Sequence, residues 1–309
     1  MTQPPPTISL DGLTKRYGNH VAVDDLTIEV PAGVVAGFVG PNGAGKTTTM
    51  AMLLGLVTPT AGDGTVFGQS LRDPASYLHR VGALIEGPAF YPALTGAQNL
   101  RVVATAAGHD PAQVPELLEL VGLGDRGDDR FRSYSLGMKQ RLGIAAALLG
   151  DPDLLILDEP INGLDPAGVA EMRGLIGRLA DGSRTMFVSS HVLAELEQVC
   201  DWLIVVDHGA LIFQGPAADL GHATTAIVAV PEHADDLPRL LHLVDASGHD
   251  AEIDGGELLV AVNGTGPHQL AAEVNRSAGA EGIVLVELGP KKTTLEDRYL
   301  ATVKTGGDR

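Results

Sequence analysis

Eight consecutive residues, Gly40-Pro41-Asn42-Gly43-Ala44-Gly45-Lys46-Thr47, have the spacing G-x-x-x-x-G-K-[ST]. Glycines in such a segment let backbone N–H groups converge on anionic oxygens, and a following helix adds the positive end of its dipole. The lysine of this pattern reaches the β- and γ-phosphates of a nucleotide, and the hydroxyl binds Mg²⁺. The segment therefore predicts a P-loop, which binds a nucleoside triphosphate together with Mg²⁺.

The flanking sequence supplies the strand and the helix that must hold this loop. An apolar run over residues 34–39 precedes it, and a helix-compatible run over residues 46–54 follows it. This strand–loop–helix context separates a phosphate-binding loop from an ordinary glycine-rich turn.

The second signal in the sequence is acidic. It lies downstream, where the apolar run 154–157 is followed by Asp158 and Glu159. The run predicts a buried parallel strand, and side chains at the carboxyl end of such a strand face the ligand crevice of an open α/β sheet. Asp158 is thus placed to hold Mg²⁺, and Glu159 to polarise an attacking water.

The third signal is Tyr134-Ser135-Leu136-Gly137-Met138-Lys139-Gln140-Arg141, just upstream of the acidic strand and followed by an apolar run over residues 142–149. On its own it also fits a serine N-cap before a buried helix. Between the P-loop and Asp158, however, it resembles the signature motif, LSGGQ, of ATP-binding-cassette (ABC) ATPases. Ser135 and Gly137 match the motif, whereas Tyr134, Leu136 and Met138 depart from it. In that family the motif completes the nucleotide pocket of the opposite subunit.

Other landmarks of the ABC family follow in the expected order over residues 7–220. Tyr17 resembles the aromatic residue that stacks on adenine, although a half-buried tyrosine of an edge strand would look the same. Asn162-Gly163-Leu164-Asp165 resembles the D-loop, with Asn162 in place of the usual serine. His191, after a strand-like run over residues 185–188, resembles the switch histidine that contacts the γ-phosphate.

One position departs from the family in a way that affects its chemistry. The family's Q-loop places a glutamine near Mg²⁺ and the attacking water, and Glu86 stands there in this chain. An ionised carboxylate only accepts hydrogen bonds, so Glu86 would either strengthen the metal site or repel the γ-phosphate. With the Ser-Leu-Gly-Met-Lys-Gln signature, this glutamate resembles the ATPases of bacitracin-resistance and lantibiotic-immunity exporters.

The composition excludes several other classes of protein. Against 21 basic residues the 309-residue chain carries 39 acidic ones, a net charge of −18, which opposes a basic nucleic-acid-binding surface and docking to anionic lipid. Cys200 is its only cysteine, so an intrachain disulfide or a cysteine-based zinc site is excluded. We expect neither a signal peptide at Met1–Pro6 nor a membrane span, because the chain lacks an apolar run of 18 residues.

These patterns predict an α/β fold, the P-loop NTPase fold of ABC ATPases. Residues 7–220 are expected to form this domain, with a mostly parallel sheet, an antiparallel β flank over residues 8–30 and a helical subdomain at about 94–150 that Thr95 opens as N-cap. Residues 221–309 alternate strand-like and helix-like runs (226–230, 234–243, 257–262, 267–278 and 282–287), which suggests a small C-terminal α+β domain of ferredoxin-like type. Its histidines lack metal-ligand spacing, and residues 294–300 resemble the closing helix of related ATPases.

The resemblance implies an ATP-binding and ATP-hydrolysing subunit of a membrane ABC transporter, an exporter of antibiotic, peptide or drug-like cargo. It would act as a dimer, expected to be a homodimer, on a separate transmembrane permease at the inner face of the cell membrane, and would be cytoplasmic. Two alternatives are a soluble ABC ATPase of translation or DNA repair, which the single cassette and the negative charge disfavour, and a nucleotide sensor whose slow hydrolysis only times an interaction.

The site residues implied by the motifs fall into three sets. The expected catalytic residues are Glu159, His191 and Glu86. The expected ligands of Mg²⁺ are Thr47, Asp158 and Glu86. The residues expected to contact ATP are Tyr17, Gly40, Pro41, Asn42, Gly43, Ala44, Gly45, Lys46, Thr47, Thr48, Ser135 and Gly137.

Overall fold

The protein is seen here in a computed structural model, which describes residues 5–196, 198–221, 226–262 and 266–291. The chain divides into two compact units, residues 1–217 and residues 218–309. The first unit contains two sheets and the second unit contains one, and each unit has its own apolar core.

The first unit is built from alternating strands and helices. Its strands are β1 (Ile8–Tyr17), β2 (His20–Val30), β3 (Val35–Val39), β4 (Ala61–Val66), β5 (Gln69–Ser70), β6 (Val81–Leu84), β7 (Leu154–Leu157), β8 (Thr185–Ser190), β9 (Trp202–Asp207) and β10 (Ala210–Pro216). Its helices are α1 (Lys46–Leu53), α2 (Gly96–Ala107), α3 (Val114–Leu120), α4 (Leu136–Ala147), α5 (Pro166–Leu179) and α6 (Leu193–Leu196), and α7 (Ala217–Gly221) follows β10.

The central sheet of this unit has the strand order β10-β9-β3-β8-β7-β6, in which only the β10–β9 pair is antiparallel. Every residue of β3, β7 and β8 is buried, as expected for parallel strands covered on both faces. The carboxyl ends of these three strands therefore lie side by side at one edge of the sheet, where an α/β fold binds its ligand.

The predicted antiparallel flank is present and is larger than the sequence indicated. The order β2-β1-β4-β5 adds residues 61–70 to the β1–β2 hairpin that was expected over residues 8–30. The tight pairing of Tyr17 with His20 brings both residues to the end of that hairpin.

The helical subdomain contains α2, α3 and α4. Thr95 is the N-cap of α2, as predicted, and forms a capping box with Gln98, with N–H···O distances of 2.9 and 3.2 Å. The α4 helix begins at Leu136, six residues before the apolar run that predicted it, because the Ser135 hydroxyl accepts the N–H of Met138 and caps the helix there.

The second unit has the order β-α-β-β-α-β, which is typical of a ferredoxin-like fold and contains one strand more than the sequence runs indicated. Its elements are β11 (Ala226–Pro231), α8 (Leu237–Ala246), β12 (Ala251–Asp254), β13 (Glu257–Ala261), α9 (Pro267–Ala280) and β14 (Leu285–Pro290). The strand order is β12-β13-β11-β14, and each neighbouring pair is antiparallel. The core contains Leu240 and Val244 of α8, Leu270 and Val274 of α9, and apolar side chains from one face of the sheet.

Two elements of the second unit, α8 and β14, lie three residues later than their predicted runs 234–243 and 282–287. Residues 234–236 form a turn of 3₁₀-helix before α8. The expected closing helix at residues 294–300, like His222, lies outside the described residues. In the part of the chain that the structure describes, no helix combines the length and the apolar character needed to cross a bilayer.

Candidate nucleotide site

The P-loop runs from the end of β3 to the start of α1 and is held closely by neighbouring backbone. A Cβ atom on Gly45 would lie 2.3 Å from the carbonyl oxygen of Ala22, and the backbone φ of Gly45 is +92°. A Cβ atom on Gly40 would lie 2.2 Å from the carbonyl oxygen of Val206. Side chains are therefore excluded at both positions, and the flank and β9 together fix the path of the loop.

Lys46 is the first residue of α1, and only 5% of the residue is exposed. Its Nζ atom donates to the carbonyl oxygens of Gly40 (2.7 Å) and Pro41 (3.2 Å) and lies 3.2 Å from Oε1 of Glu159. A buried ammonium needs such partners. The interactions hold the positive charge inside the curve of the loop, where the backbone N–H groups and the helix dipole favour an anion.

Thr47 and Asp158 meet next to this lysine. The Thr47 hydroxyl donates to Oδ2 of Asp158 at 2.8 Å, and the Ser189 hydroxyl donates to Oδ1 of the same carboxylate at 2.6 Å. Asp158 is 6% exposed. A carboxylate and a hydroxyl are hard oxygen donors of the type that Mg²⁺ prefers when phosphate oxygens and water complete its octahedron. These residues thus fit the predicted metal.

Glu159 follows β7 in a left-handed backbone conformation, with φ = +49°. Its Oε2 atom lies 2.7 Å from Nδ1 of His191, and its Oε1 atom faces Lys46. The sequence placed Glu159 and His191 on different strands, and the structure brings them into direct contact because β7 and β8 are neighbours. A carboxylate and an imidazole in contact are suited to proton transfer and to hydrogen bonding with an anion.

A cavity of about 310 Å³ opens over the P-loop. Its lining residues are Tyr17, His20, Ala22, Asn42, Gly43, Gly45, Lys46, Thr47, Thr48, Glu159 and Asn162. The predicted adenine platform, Tyr17, therefore shares one cavity with the predicted phosphate-binding and catalytic residues. Its ring is well exposed, and Lys15, whose Nζ donates to the carbonyl oxygen of Thr58 at 2.8 Å, lies 5.0 Å from the ring centroid.

Comparison with known proteins agrees with this geometry. The family model described as ABC transporter matches residues 23–162, which include the P-loop and the Asp158-Glu159 pair. The bacitracin transport ATP-binding protein BcrA of Enterococcus faecalis is 37% identical over 305 residues, which cover 97% of each chain. The chain belongs to the ATP-binding proteins of the ABC transporter family. It is therefore an ATPase subunit of a membrane transporter, and ATP is the nucleotide that this fold binds.

Two further relatives set the extent of the similarity. The lantibiotic transport ATP-binding protein SrtF of Streptococcus pyogenes is 40% identical over 209 residues, covering 67% of this chain and 90% of that protein. A solved ATP-binding subunit of an ABC transporter is 31% identical, with a TM-score of 0.60, and the match covers 69% of this chain and 91% of that one. Family members of this kind work with transmembrane permease subunits, and their ATP-binding subunits typically dimerise.

The signature segment of this ABC ATPase lies apart from the cavity lining. Ser135 caps α4, and a Cβ atom on Gly137 would lie 3.7 Å from Cδ2 of Leu164 in the D-loop. A Cβ on Gly163 of the same loop would meet Leu136 at 3.1 Å, so the D-loop packs on the start of α4. Within the residues described, Ser135 and Gly137 are not among those that line the cavity of their own subunit.

Glu86 follows β6 with a φ of +56° and is exposed. It is not among the residues that line the cavity, and the structure gives its side chain no hydrogen bond or ion pair with the described residues. The nearby backbone is tied to the site instead, since the N–H of Asp158 donates to the carbonyl oxygen of Leu84 at 2.8 Å.

Three residues of the site were not identified from the sequence. His20 and Ala22 line the cavity because the β1–β2 hairpin folds over the P-loop, and only their proximity to Tyr17 in the chain hinted at this. Ser189 lies between the strand-like run 185–188 and His191, and the sequence alone indicated no role for it. Its position at the carboxyl end of a strand next to β7 is the signal that points to Asp158.

Proposed function

We propose that this subunit uses ATP to drive export of an antibiotic, peptide or drug-like molecule through a separate membrane permease. The observation that carries the proposal is the extent of the similarity to the bacitracin transport protein of E. faecalis, 97% of this chain. That match includes the second unit, whereas the match to the lantibiotic transport protein covers 67% of this chain. The likeness to the first protein thus extends beyond the ATPase core.

In the proposed complex the cavity over the P-loop receives Mg²⁺-ATP. The ring of Tyr17 stacks on adenine, and Lys46 binds the phosphates together with the backbone N–H groups of residues 40–48, apart from Pro41, which has none. Thr47 and Asp158 would hold Mg²⁺, which would neutralise charge on the phosphate oxygens. The hydrogen bond between these two side chains supports the assignment, because it holds a hydroxyl oxygen and a carboxylate oxygen 2.8 Å apart.

Glu159 acts as the general base in this proposal. It accepts a proton from water while the water oxygen attacks the γ-phosphorus and the bond to the β–γ bridging oxygen breaks. His191, whose Nδ1 already contacts the Glu159 carboxylate, orients that carboxylate, and in its doubly protonated form it also donates a hydrogen bond from Nε2 to the phosphoryl oxygens. Catalysis of this kind consists mainly of positioning and electrostatic stabilisation.

The catalytic unit in this proposal is a homodimer. Ser135 and Gly137 of one copy cover the γ-phosphate bound to the P-loop of the other, so ATP binding closes the dimer and hydrolysis opens it. The start of α4 supports this assignment, because the helix N-terminus can bind an anion and Leu136 beside it is 45% exposed.

Glu86 is proposed to act on the metal side of the closed site. Its exposed carboxylate, in a strained left-handed backbone conformation, follows the strand next to β7. A Glu86→Gln variant is then expected to change both the Mg²⁺ dependence and the turnover of the ATPase. Unchanged values for both would contradict the assignment.

The proposed location is the inner face of the cell membrane, on the permease, with no nucleic-acid partner. The net charge of −18 supports this choice over a role in translation or DNA repair, since phosphate backbones attract basic surfaces. The permease would contain the cargo path.

The test is affinity purification of tagged Glu159→Gln protein from detergent-solubilised cells in ATP and Mg²⁺. We expect a polytopic membrane protein to copurify, and the wild-type chain with ADP serves as the control for nucleotide-dependent assembly. Cells that express the wild-type chain together with the copurified membrane protein should then tolerate more bacitracin than cells that express the Glu159→Gln chain with the same membrane protein. Copurification of ribosomal or DNA-repair proteins in place of a membrane protein would contradict the proposal.

A further inference from the structure

Ser189 occupies the strand between the two halves of the nucleotide site. In the central sheet β8 lies between β3, which leads into the P-loop, and β7, which leads into Asp158 and Glu159. Ser189 pairs with Phe38 of β3, and the preceding residue, Val188, pairs with Leu157 of β7. The residue is fully buried.

The single hydroxyl of Ser189 contacts both acidic residues of the site. It donates to Oδ1 of Asp158 at 2.6 Å and accepts the backbone N–H of Glu159 at 2.8 Å. The other oxygen of Asp158 accepts the Thr47 hydroxyl. The carboxylate is thereby held from two sides, and the hydroxyl of Ser189 has both of its hydrogen-bonding roles satisfied.

Each of these bonds affects a different property of the site. The bond to Asp158 fixes the rotation of the carboxylate, which decides where its oxygens point toward a metal ion. The bond to Glu159 satisfies the backbone N–H of a residue whose φ is +49°. Residues other than glycine rarely adopt this backbone conformation. That backbone conformation sets the direction in which the Glu159 carboxylate leaves the strand.

We propose that Ser189 is a positioning residue that couples metal binding at Asp158 to the orientation of the base at Glu159. The inference rests on the roles proposed above for Asp158 and Glu159 and adds the residue that aligns them. Loss of the hydroxyl therefore weakens the metal contribution to nucleotide binding and also slows hydrolysis.

Thr185, on the same strand, offers a matched control. It is 2% exposed, its hydroxyl lies 2.9 Å from the hydroxyl of Thr7, and it accepts the N–H of Gly33 at 3.0 Å. It is the first residue of β8, whereas Ser189 lies at the opposite end beside the site. A Thr185→Ala variant thus removes a buried hydroxyl with two partners from the same strand without touching the site.

The experiment compares the full-length wild-type chain with S189A, T185A and D158N. The affinity for a fluorescent, slowly hydrolysed ATP analogue is measured with Mg²⁺ and with EDTA, and the ratio gives the metal contribution. Melting temperature and the kcat and KM for ATP are measured in parallel. For S189A we expect the metal contribution to fall about 10-fold and kcat to fall about 10- to 100-fold, while the affinity in EDTA is unchanged.

The control should separate this effect from a loss of stability. T185A is expected to lower the melting temperature as S189A does, but to leave the metal contribution and kcat unchanged. If S189A does not fold, S189C replaces it, because a thiol is a weak donor of nearly the same shape, and the same losses are expected.

Two outcomes would overturn assignments, and they are distinguishable. An S189A chain that loses only melting temperature, as T185A does, would reduce Ser189 to a structural residue and end this inference. A D158N chain that keeps the full metal contribution would instead remove the metal role proposed for Asp158, whatever S189A shows.

Discussion

The two units of this protein both pack helices on a sheet, but they differ in whether they bury polar side chains. The buried polar and charged side chains of the described residues all belong to the first unit: Thr7, Lys46, Thr49, Asn99, Gln140, Asp158, Thr185, Ser189 and Ser190. In the second unit, the described residues that are buried are all apolar or proline. Burying a polar group costs free energy unless it is hydrogen-bonded, so such groups persist where they have a task.

The contrast is sharpest in how far the titratable side chains with close partners are buried in the two units. In the first unit Lys46 and Asp158 are almost fully buried where parallel strands end, each with several partners. In the second unit the Nε2 atom of His249 lies 3.3 Å from Oε2 of Glu273, in a partly exposed groove between helices. A partly exposed pair of this kind adds little stability. The central sheet of the first unit therefore positions polar residues of the candidate site, whereas the sheet of the second unit contributes apolar side chains to a core.

The largest expected effect is that of Glu159→Gln in the first unit. Removing the proposed general base should lower kcat for ATP hydrolysis by about 10²- to 10⁴-fold and leave nucleotide binding intact. Steady-state hydrolysis and analogue binding measure the two quantities. Glu273→Gln in the second unit is the matched control, with no change in kcat expected. Normal turnover in Glu159→Gln would show that another group is the base.

The next effect concerns stability and belongs to the second unit. Leu240 is completely buried, and Leu240→Ala should lower the free energy of unfolding of that unit by about 2–5 kcal/mol, because it leaves a cavity. Initial ATPase rates should remain near those of the wild type, since the site residues lie in the first unit. Loss of ATP hydrolysis at temperatures where the variant is folded would contradict the expectation that the nucleotide site does not depend on the core of the second unit.

Labelling of the Cys200 thiol in the Leu240→Ala variant shows whether the first unit stays folded. Cys200 is 8% exposed, and burial, aided by the charge of Asp201, raises the pKa of its thiol to about 12. The thiolate is the reactive form, so labelling by a thiol reagent at pH 8 requires opening of the first unit. The labelling rate in Leu240→Ala should therefore stay low after the second unit has lost its structure.

Lys46→Ala should weaken ATP binding roughly 100-fold, because the charge-assisted hydrogen bonds of the ammonium to phosphate are lost. Lys15→Ala is the control, since Lys15 is a cation near the same cavity that contacts the Tyr17 ring and Thr58. We expect it to change the affinity by about 5-fold or less. Equal losses in both variants, measured by equilibrium titration, would argue against a specific role for Lys46.

The smallest effect is expected at the adenine platform. Tyr17→Ala should reduce ATP affinity about 10-fold, near the lower end of the range for stacking a base on an aromatic ring, because the Tyr17 ring is half exposed. Tyr17→Phe keeps the ring face and should bind as the wild type does. A loss in Tyr17→Phe as large as that in Tyr17→Ala would indicate that the hydroxyl, and not the ring, makes the contact.

Local patterns predicted the parts of this protein whose geometry is local. The P-loop, the strand before Asp158 and the Thr95 cap each depend on neighbouring residues, and each lies where its pattern indicated. The fold class followed from their order. In the second unit β12 was missed, although Asp254-Gly255-Gly256-Glu257 is a turn signal that could have revealed the hairpin.

The remaining features depend on contacts between distant parts of the chain. Ser189 reaches Asp158 only because β8 inserts between β3 and β7, a strand order that spacing in the sequence does not encode. His20 and Ala22 enter the cavity lining through the fold of a hairpin that lies about twenty residues before the P-loop. The family motif drew attention to Glu86, but no intrachain contact of the described residues defines its task.

The ion pair between Lys46 and Glu159 has a consequence for how the ATPase starts its cycle. At 3.2 Å, the ammonium proposed to bind phosphate is paired with the carboxylate proposed to activate water. In that mechanism nucleotide entry is an ion exchange, in which one anion displaces another from a single ammonium. The displaced carboxylate would be the general base, so the substrate itself would release the group that deprotonates the attacking water.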